Sequence, residues 1–192
     1  MRTVEERIGC GCGYPARMSP KNGTTTMKRP TSLHATQNPL PLESREKLVL
    51  LLNSRLASAI DLQLQSKHAH WNVKGPNFIA LHELFDKVYE TAAGAVDELA
   101  ERAVQLGGSA QGTLQTVGRD SKLRPYPAAI SAGSDHVESL THALSAFATQ
   151  VREGIELSEE YGDPATADML TGMAEAIEKQ LWFVEAHQQA KS

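Results

Sequence analysis

Only two cysteines occur in the chain, Cys10 and Cys12, and both lie close to the N-terminus. No disulfide framework can therefore support the fold. No apolar run approaches the ~20 residues that a membrane-crossing helix requires; the longest is Leu48–Leu52. The N-terminus carries arginines but no apolar segment of the kind found in secretory signals, so the expected location is the cytoplasm. Strand-like alternation and internal repeats are absent. Also missing is any Glu-x-x-His, the motif by which helical bundles hold two metals inside one subunit's core. That absence disfavours a metal centre built within a single subunit.

What is present is a chain of 192 residues with a net charge of -4, the size of one domain with a tail. The charge is unevenly spread. Residues 1–40 carry Arg2, Arg7, Arg17, Lys21, Lys28 and Arg29 against Glu5 and Glu6, a net of +4, which leaves -8 on the remainder. Gly, Pro, Ser, Thr and Asn fill residues 1–40 without periodicity, so they are expected to form a disordered, mildly basic arm. A basic arm on an acidic body suits nucleic acid; a solubilising leader accounts for the same composition. Met18 and Met27 are alternative starts. Cys10-Gly11-Cys12 has the elements of a metal or redox site but no histidines nearby to complete one. The folded domain is expected over residues 41–189, followed by a short tail, 190–192.

Helical periodicity dominates that domain. A first helix is predicted from about Leu42 to Asn72, with Leu48, Leu51, Leu52, Leu56, Ile60 and Leu64 inward. It ends at Lys74-Gly75-Pro76. A second follows, capped by Asn77, with Phe78, Leu81, Phe85, Val88, Ala92, Leu99 and Leu106 as its stripe, and closes at Gly107-Gly108. Residues 109–133 form a long connection, with room for a short helix near Thr113–Val117. A third helix is predicted from about Ser134 to Tyr161 on Val137, Leu140, Leu144, Phe147, Val151 and Ile155. Asp163 and Pro164 supply the N-cap and first position of a fourth, which carries Leu170, Met173, Ile177, Leu181 and Val184. Four long helices with a long crossover between the second and third make an all-α, ferritin-like four-helix bundle.

The second helix carries His82, Asp86, Asp97 and Glu101. His82 and Asp86 share a face, as do Asp97 and Glu101. The two pairs are roughly 16 Å apart along the axis, too far to grip one metal, whose bonds are about 2 Å long. Both His82/Glu101 and Asp86/Asp97 are symmetric about Thr91/Ala92, where Thr91-Ala92-Ala93-Gly94-Ala95 is small enough for close approach. Crossing the helix with an antiparallel copy on a two-fold axis there brings His82 and Asp86 of one chain to Asp97 and Glu101 of the other. The result is two identical sites per dimer, on the order of 20 Å apart. His70, at the end of the first helix, completes the set from the same subunit. Imidazole with carboxylate suits iron, manganese or zinc. The competing account is that these are solvated side chains on a helix.

Other residues carry less. His68 is two residues from His70 and off its face. His34, His136, His142 and His187 have no partner set and are expected at the surface or an interface. Trp71 stands beside His70, where it either shields the site or fills the core. Glu156, Glu159, Glu160, Asp163 and Asp168 gather at the junction of the third and fourth helices, as an acidic pore or a solvated helix end.

The segments HWNVKGPNFIALHELFD (70–86), DELAERAVQLGG (97–108) and DPATAD…LWFVEAH (163–187) resemble the Dps family, mini-ferritins named as DNA-binding proteins from starved cells. The resemblance covers about residues 45–188. It implies a hollow shell of twelve four-helix subunits that oxidises Fe(II), preferentially with hydrogen peroxide, and stores the ferric product. It places dinuclear ferroxidase sites at the two-fold interface, on His70, His82 and Asp86 of one subunit and Asp97 and Glu101 of the next. Some members bind DNA through Lys/Arg-rich terminal arms, others not at all. The expectations are thus a ferroxidase protecting DNA, or a nucleoid-compacting shell with structural metal sites. A monomeric bundle without metal is the third.

Overall fold

The apolar spacing of residues 42–189 resolves into two helical hairpins joined by a crossover, in a computed structural model that describes residues 33–189. Helix α1 (Leu42–Asn72) turns through residues 73–77 into α2 (Phe78–Gln105), and α4 (Gly133–Glu160) turns through 161–163 into α5 (Pro164–Gln189). The most extensive packing is within each hairpin, α1 on α2 and α4 on α5. Across the bundle α1 meets α4 and α2 meets α5. The crossover, residues 106–132, carries the short helix α3 (Leu114–Asp120), which lies against α1. This is the expected four-helix architecture, extra helix included. Among the described residues there is no strand, only a backbone bridge from Lys74 to Ala132 that ties the end of the crossover to the α1–α2 turn.

Most of the inward positions expected from periodicity are buried, including Leu48, Leu52, Leu56, Phe85, Leu99, Leu140, Leu144, Phe147, Leu170 and Ile177. Each such side chain contributes roughly 1.5–3 kcal/mol through burial. Two expected core residues are not inside: Leu64 is 51% exposed and Phe78 40%. The stripe Leu52, Leu56, Ile60, Leu64 advances by four residues each time, and each step overshoots a full turn by about 40°. By Leu64 the accumulated rotation has carried the side chain off the core face. Phe78 begins α2, before the helix is covered, and its ring lies 5.1 Å from that of His82.

The helix ends follow local chemistry. Gly107 has φ +88°, its N–H donates to Val104 O and the Gly108 N–H to Ala103 O, both at 2.9 Å. This is the paired closure that a glycine in the left-handed region permits. A Cβ on Gly108 would stand 2.5 Å from Val49 Cγ1, so the bare backbone is also needed to seat α2 on α1. Asn77 caps α2 only by position, since its side chain makes no capping hydrogen bond.

Polar side chains of α1 fasten the crossover. Asn53 Nδ2 donates to Ser109 O at 3.1 Å and its Oδ1 accepts from Gln111 N at 2.8 Å. Ser121 Oγ donates to Asp61 at 2.6 Å, and Gln65 Nε2 to Arg124 O at 3.1 Å. Each backbone group so bonded is one that a buried loop could not leave unpaired. Residues 1–32, with Cys10, Cys12 and all six basic residues of the expected arm, lie outside the described residues. The remaining segment of that arm runs without helix along the bundle, where His34 N donates to Gly107 O at 2.7 Å and Leu33 and Leu40 pack against the core.

Candidate metal centre

His70 sits in the last turn of α1 and His82 in the second turn of α2. The turn between them contains Gly75 at φ +119°, a conformation that glycine adopts without steric penalty. The hairpin stacks the two imidazoles, with centroids 3.6 Å apart and planes 23° from parallel. Their hydrogen bonds are reciprocal. His70 Nδ1 donates to His82 O at 2.8 Å, and His82 Nδ1 donates to His70 O at 2.9 Å. A carbonyl only accepts, so each Nδ1 carries a proton, and in the neutral form of either ring the lone pair is on Nε2. That is the tautomer and the backing that metal-ligating histidines require.

Asp86 lies one turn beyond His82, with Oδ1 3.9 Å from His70 Nδ1. It is ion-paired to Lys67, and that hydrogen bond holds its pKa below the usual carboxylate range, with burial opposing. Lys67 also lies over the Tyr89 ring, 4.7 Å from its centroid. Trp71, 67% exposed, does not fill the core of the single chain.

Asp97 and Glu101 face solvent farther along α2 and make no hydrogen bond or ion pair among the described residues. No three His, Cys, Asp or Glu side chains of the single chain converge on a metal-sized point among the described residues. The chain therefore assembles His70, His82 and Asp86 at one end of α2 and leaves Asp97 and Glu101 at the other. Two imidazoles and a carboxylate offer nitrogen and oxygen donors of the kind first-row transition metals take, but within one chain they do not converge on a single point.

Two expectations about other residues are corrected. Asp163 is no pore-lining acid: it is 3% exposed, and its carboxylate grips Arg102 Nη2 at 3.0 and 2.8 Å. Arg102 Nε donates to Thr166 Oγ1 at 2.9 Å, and the Thr166 hydroxyl donates to Asp163. Burial would raise the Asp163 pKa, but the Thr166 and Arg102 hydrogen bonds outweigh it and hold the group low. This cluster pins α2 at the residue after Glu101 to the start of α5. His136, expected at the surface or an interface, is fully buried within the single chain because α4 opens beneath the crossover. Its Nδ1 is 2.7 Å from Tyr126 Oη, and the edge of His68 meets the Tyr126 ring at 5.4 Å between centroids. No local pattern flags this trio, whose members come from α1, the crossover and α4.

The Ferritin-like domain family matches residues 49–191 of the chain. A DNA protection during starvation protein of Agrobacterium fabrum is 46% identical over 159 residues, covering 83% of this chain and 98% of that protein. The like-named protein of Mycolicibacterium smegmatis is 37% identical over 137 residues, covering 71% of this chain and 74% of its own. Among solved structures, the Mycobacterium smegmatis Dps superposes with a TM-score of 0.77 at 34% identity, covering 81% of this chain and 94% of that one. DpsC from Streptomyces coelicolor gives 0.81 at 27% identity, covering 87% and 98%. No helix of the described residues is long and apolar enough to cross a membrane. Bundle, crossover and relatives agree: the chain belongs to the Dps family of ferritin-like proteins.

Proposed function

We propose that this protein is a cytoplasmic mini-ferritin that oxidises Fe(II) with hydrogen peroxide and stores the ferric product in a hollow shell of twelve copies. The oxidation occurs at sites shared across a two-fold contact. His70, His82 and Asp86 of one subunit face Asp97 and Glu101 of the next, with room for two irons. The observation that carries the reading is the reciprocal pairing of His70 and His82, which commits both Nδ1 atoms to backbone carbonyls and leaves both Nε2 atoms available, with an ionised Asp86 one turn along α2. The solvent-facing Asp97 and Glu101, on the same helix but out of reach, are the complementary half.

The substrate balance is two Fe(II), one peroxide and two protons giving two Fe(III) and two waters. Taking both electrons from a pair of irons avoids release of hydroxyl radical. The chain's own contributions are specific. The backbone carbonyls of His70 and His82 hold the rings in the ligating tautomer before iron arrives. Lys67 neutralises Asp86 in the metal-free chain and yields that carboxylate to the incoming cation. Arg102, anchored by Asp163, fixes the stretch of α2 that presents Glu101. Zinc or manganese would bind the same donors without the two-electron chemistry. Removing Fe(II) and peroxide together protects DNA, and the basic residues of 1–40, repeated in twelve copies, supply phosphate contacts by avidity against the acidic body.

The deciding experiment loads the assembled protein anaerobically with Fe(II), adds peroxide and follows ferric absorbance, for wild type and Asp97→Ala/Glu101→Ala. Fast oxidation in the wild type, largely lost in a variant that still assembles, is expected. Equal rates would remove these carboxylates from the site. Salt-sensitive DNA retardation without any oxidation would establish instead a nucleoid-compacting shell whose metal sites are structural.

A further inference from the structure

Tyr126 and His136 take no part in the chemistry above, yet the half-buried tyrosine and the buried histidine form a pair with the geometry of a proton transfer. Tyr126 Oη is 2.7 Å from His136 Nδ1, within the reach a general base needs. The tyrosine hydroxyl makes no other hydrogen bond among the described residues, and in the tautomer that carries the imidazole proton on Nε2 it donates to Nδ1. The imidazole is fully buried, its plane 20° from that of the Tyr126 ring, and its Nε2 has no hydrogen-bond partner among the described residues. Phe85 closes it from α2, at 6.3 Å between centroids.

We propose that Tyr126 and His136 form a proton-coupled one-electron redox site, in which the phenol gives up an electron while its proton passes to His136 Nδ1. A phenol oxidised without losing its proton would be a partly desolvated cation, an unfavourable species. An adjacent neutral base removes that barrier. Burial, with His68 nearby, keeps His136 neutral at rest, and burial keeps Tyr126 protonated above its ordinary range. Asp135, next to His136 at the start of α4, favours the charged imidazole and steadies the proton once it has moved.

The location gives the pair its task. His68 touches Tyr126 edge-on and lies two residues before His70 on α1, which puts the phenol's neighbour close in the chain to a proposed iron ligand. The oxidant belongs to the iron-oxidation reading, on which this part rests. When a site holds one Fe(II), peroxide yields Fe(III), hydroxide and hydroxyl radical. The radical takes the Tyr126 electron and becomes hydroxide, the proton moves to His136, and a neutral phenoxyl radical remains. The next Fe(II) returns an electron, the imidazolium returns its proton, and Fe(III) is left with the pair restored. One-electron oxidant is thereby spent on iron, inside the protein.

Two arms on the full-length assembled protein test this. In the first, Fe(II) below one per site is mixed with excess peroxide, frozen within milliseconds and read by electron paramagnetic resonance. A tyrosyl radical is expected, falling at least five-fold in Tyr126→Phe. In the second, a flash-generated ruthenium(III) tris-bipyridine oxidises iron-free protein, so the result is independent of any ferroxidase activity. The same radical is expected, with its formation slowed about ten-fold and its solvent deuterium effect lost in His136→Gln, which keeps a polar partner but no base. A signal unchanged by both substitutions in both arms overturns the proposal. A Tyr126 signal in the flash arm alone supports the redox pair and overturns the iron reading that supplies its oxidant.

Discussion

Asp163→Asn isolates a charge from a shape. Asparagine caps a helix as well as aspartate does, so the start of α5 keeps its cap while Arg102 loses its anion. The guanidinium is mostly covered, with a side-chain exposure of 17% against 4% for Asp163. Removing one member of a buried ion pair costs about 3–5 kcal/mol because the other is left uncompensated. Arg102 retains hydrogen bonds to Thr166 and Gln105, which places the expected loss near the lower figure, about 3 kcal/mol. For a domain of this size that corresponds to a melting point lower by roughly 6–12 °C. The assay is thermal unfolding by circular dichroism at neutral pH and fixed protein concentration, since assembly shifts apparent stability. The pH response carries a second check. Asp163 has its pKa depressed in the fold, so its contribution is complete above the unfolded value of about 3.9 and is lost as pH falls through the lower folded value. The gap between wild type and Asp163→Asn should therefore begin to narrow below about pH 4 and close once pH has passed the lower folded value. A shift under about 1 °C at neutral pH, or a gap that persists in acid, would refute the assigned role.

Further outcomes follow from individual contacts. Lys67→Met frees Asp86 of its ammonium partner, and isothermal titration with Zn(II) or anaerobic Fe(II) should show several-fold tighter binding; unchanged affinity would mean Lys67 does not compete with the metal. Gly107→Ala forces a side chain into φ +88° with a Cβ 2.9 Å from His34 O, and chemical denaturation should register a loss of about 1–2 kcal/mol. Deleting residues 1–30 removes all six basic residues of the arm; gel retardation should show salt-sensitive DNA binding abolished, with peroxide-driven iron oxidation unchanged.

Much of the bundle was legible because each long helix repeats its apolar spacing over several turns, so local pattern and tertiary packing agree. The closing glycines of α2 were equally plain, since Gly107 and Gly108 do in the chain what their missing side chains allow. The candidate ligands could be found by spacing, but the feature that readies them could not. Each imidazole is oriented by a carbonyl 12 residues away, a contact with no sequence signature. Asp163 shows the same boundary in one residue. Its place before Pro164 identified it as a cap, whereas its removal from solvent depends on Arg102, 61 residues earlier. Tyr126 and His136 were hidden for a related reason, because burial of the start of α4 is decided by where the crossover lies, and a crossover has no period.

The clasp between His70 and His82 bears on any attempt to move this site elsewhere. Each ring takes its proton position from the main chain of the opposite helix, so the binding unit comprises two backbones as well as two side chains. Histidines placed at matching positions on a different helix pair would lack those carbonyls and would spread over tautomers, half of them presenting a hydrogen where a lone pair is wanted. A transplant would have to carry the α1–α2 turn with it, Gly75 included. The smallest portable form of the half-site is a hairpin.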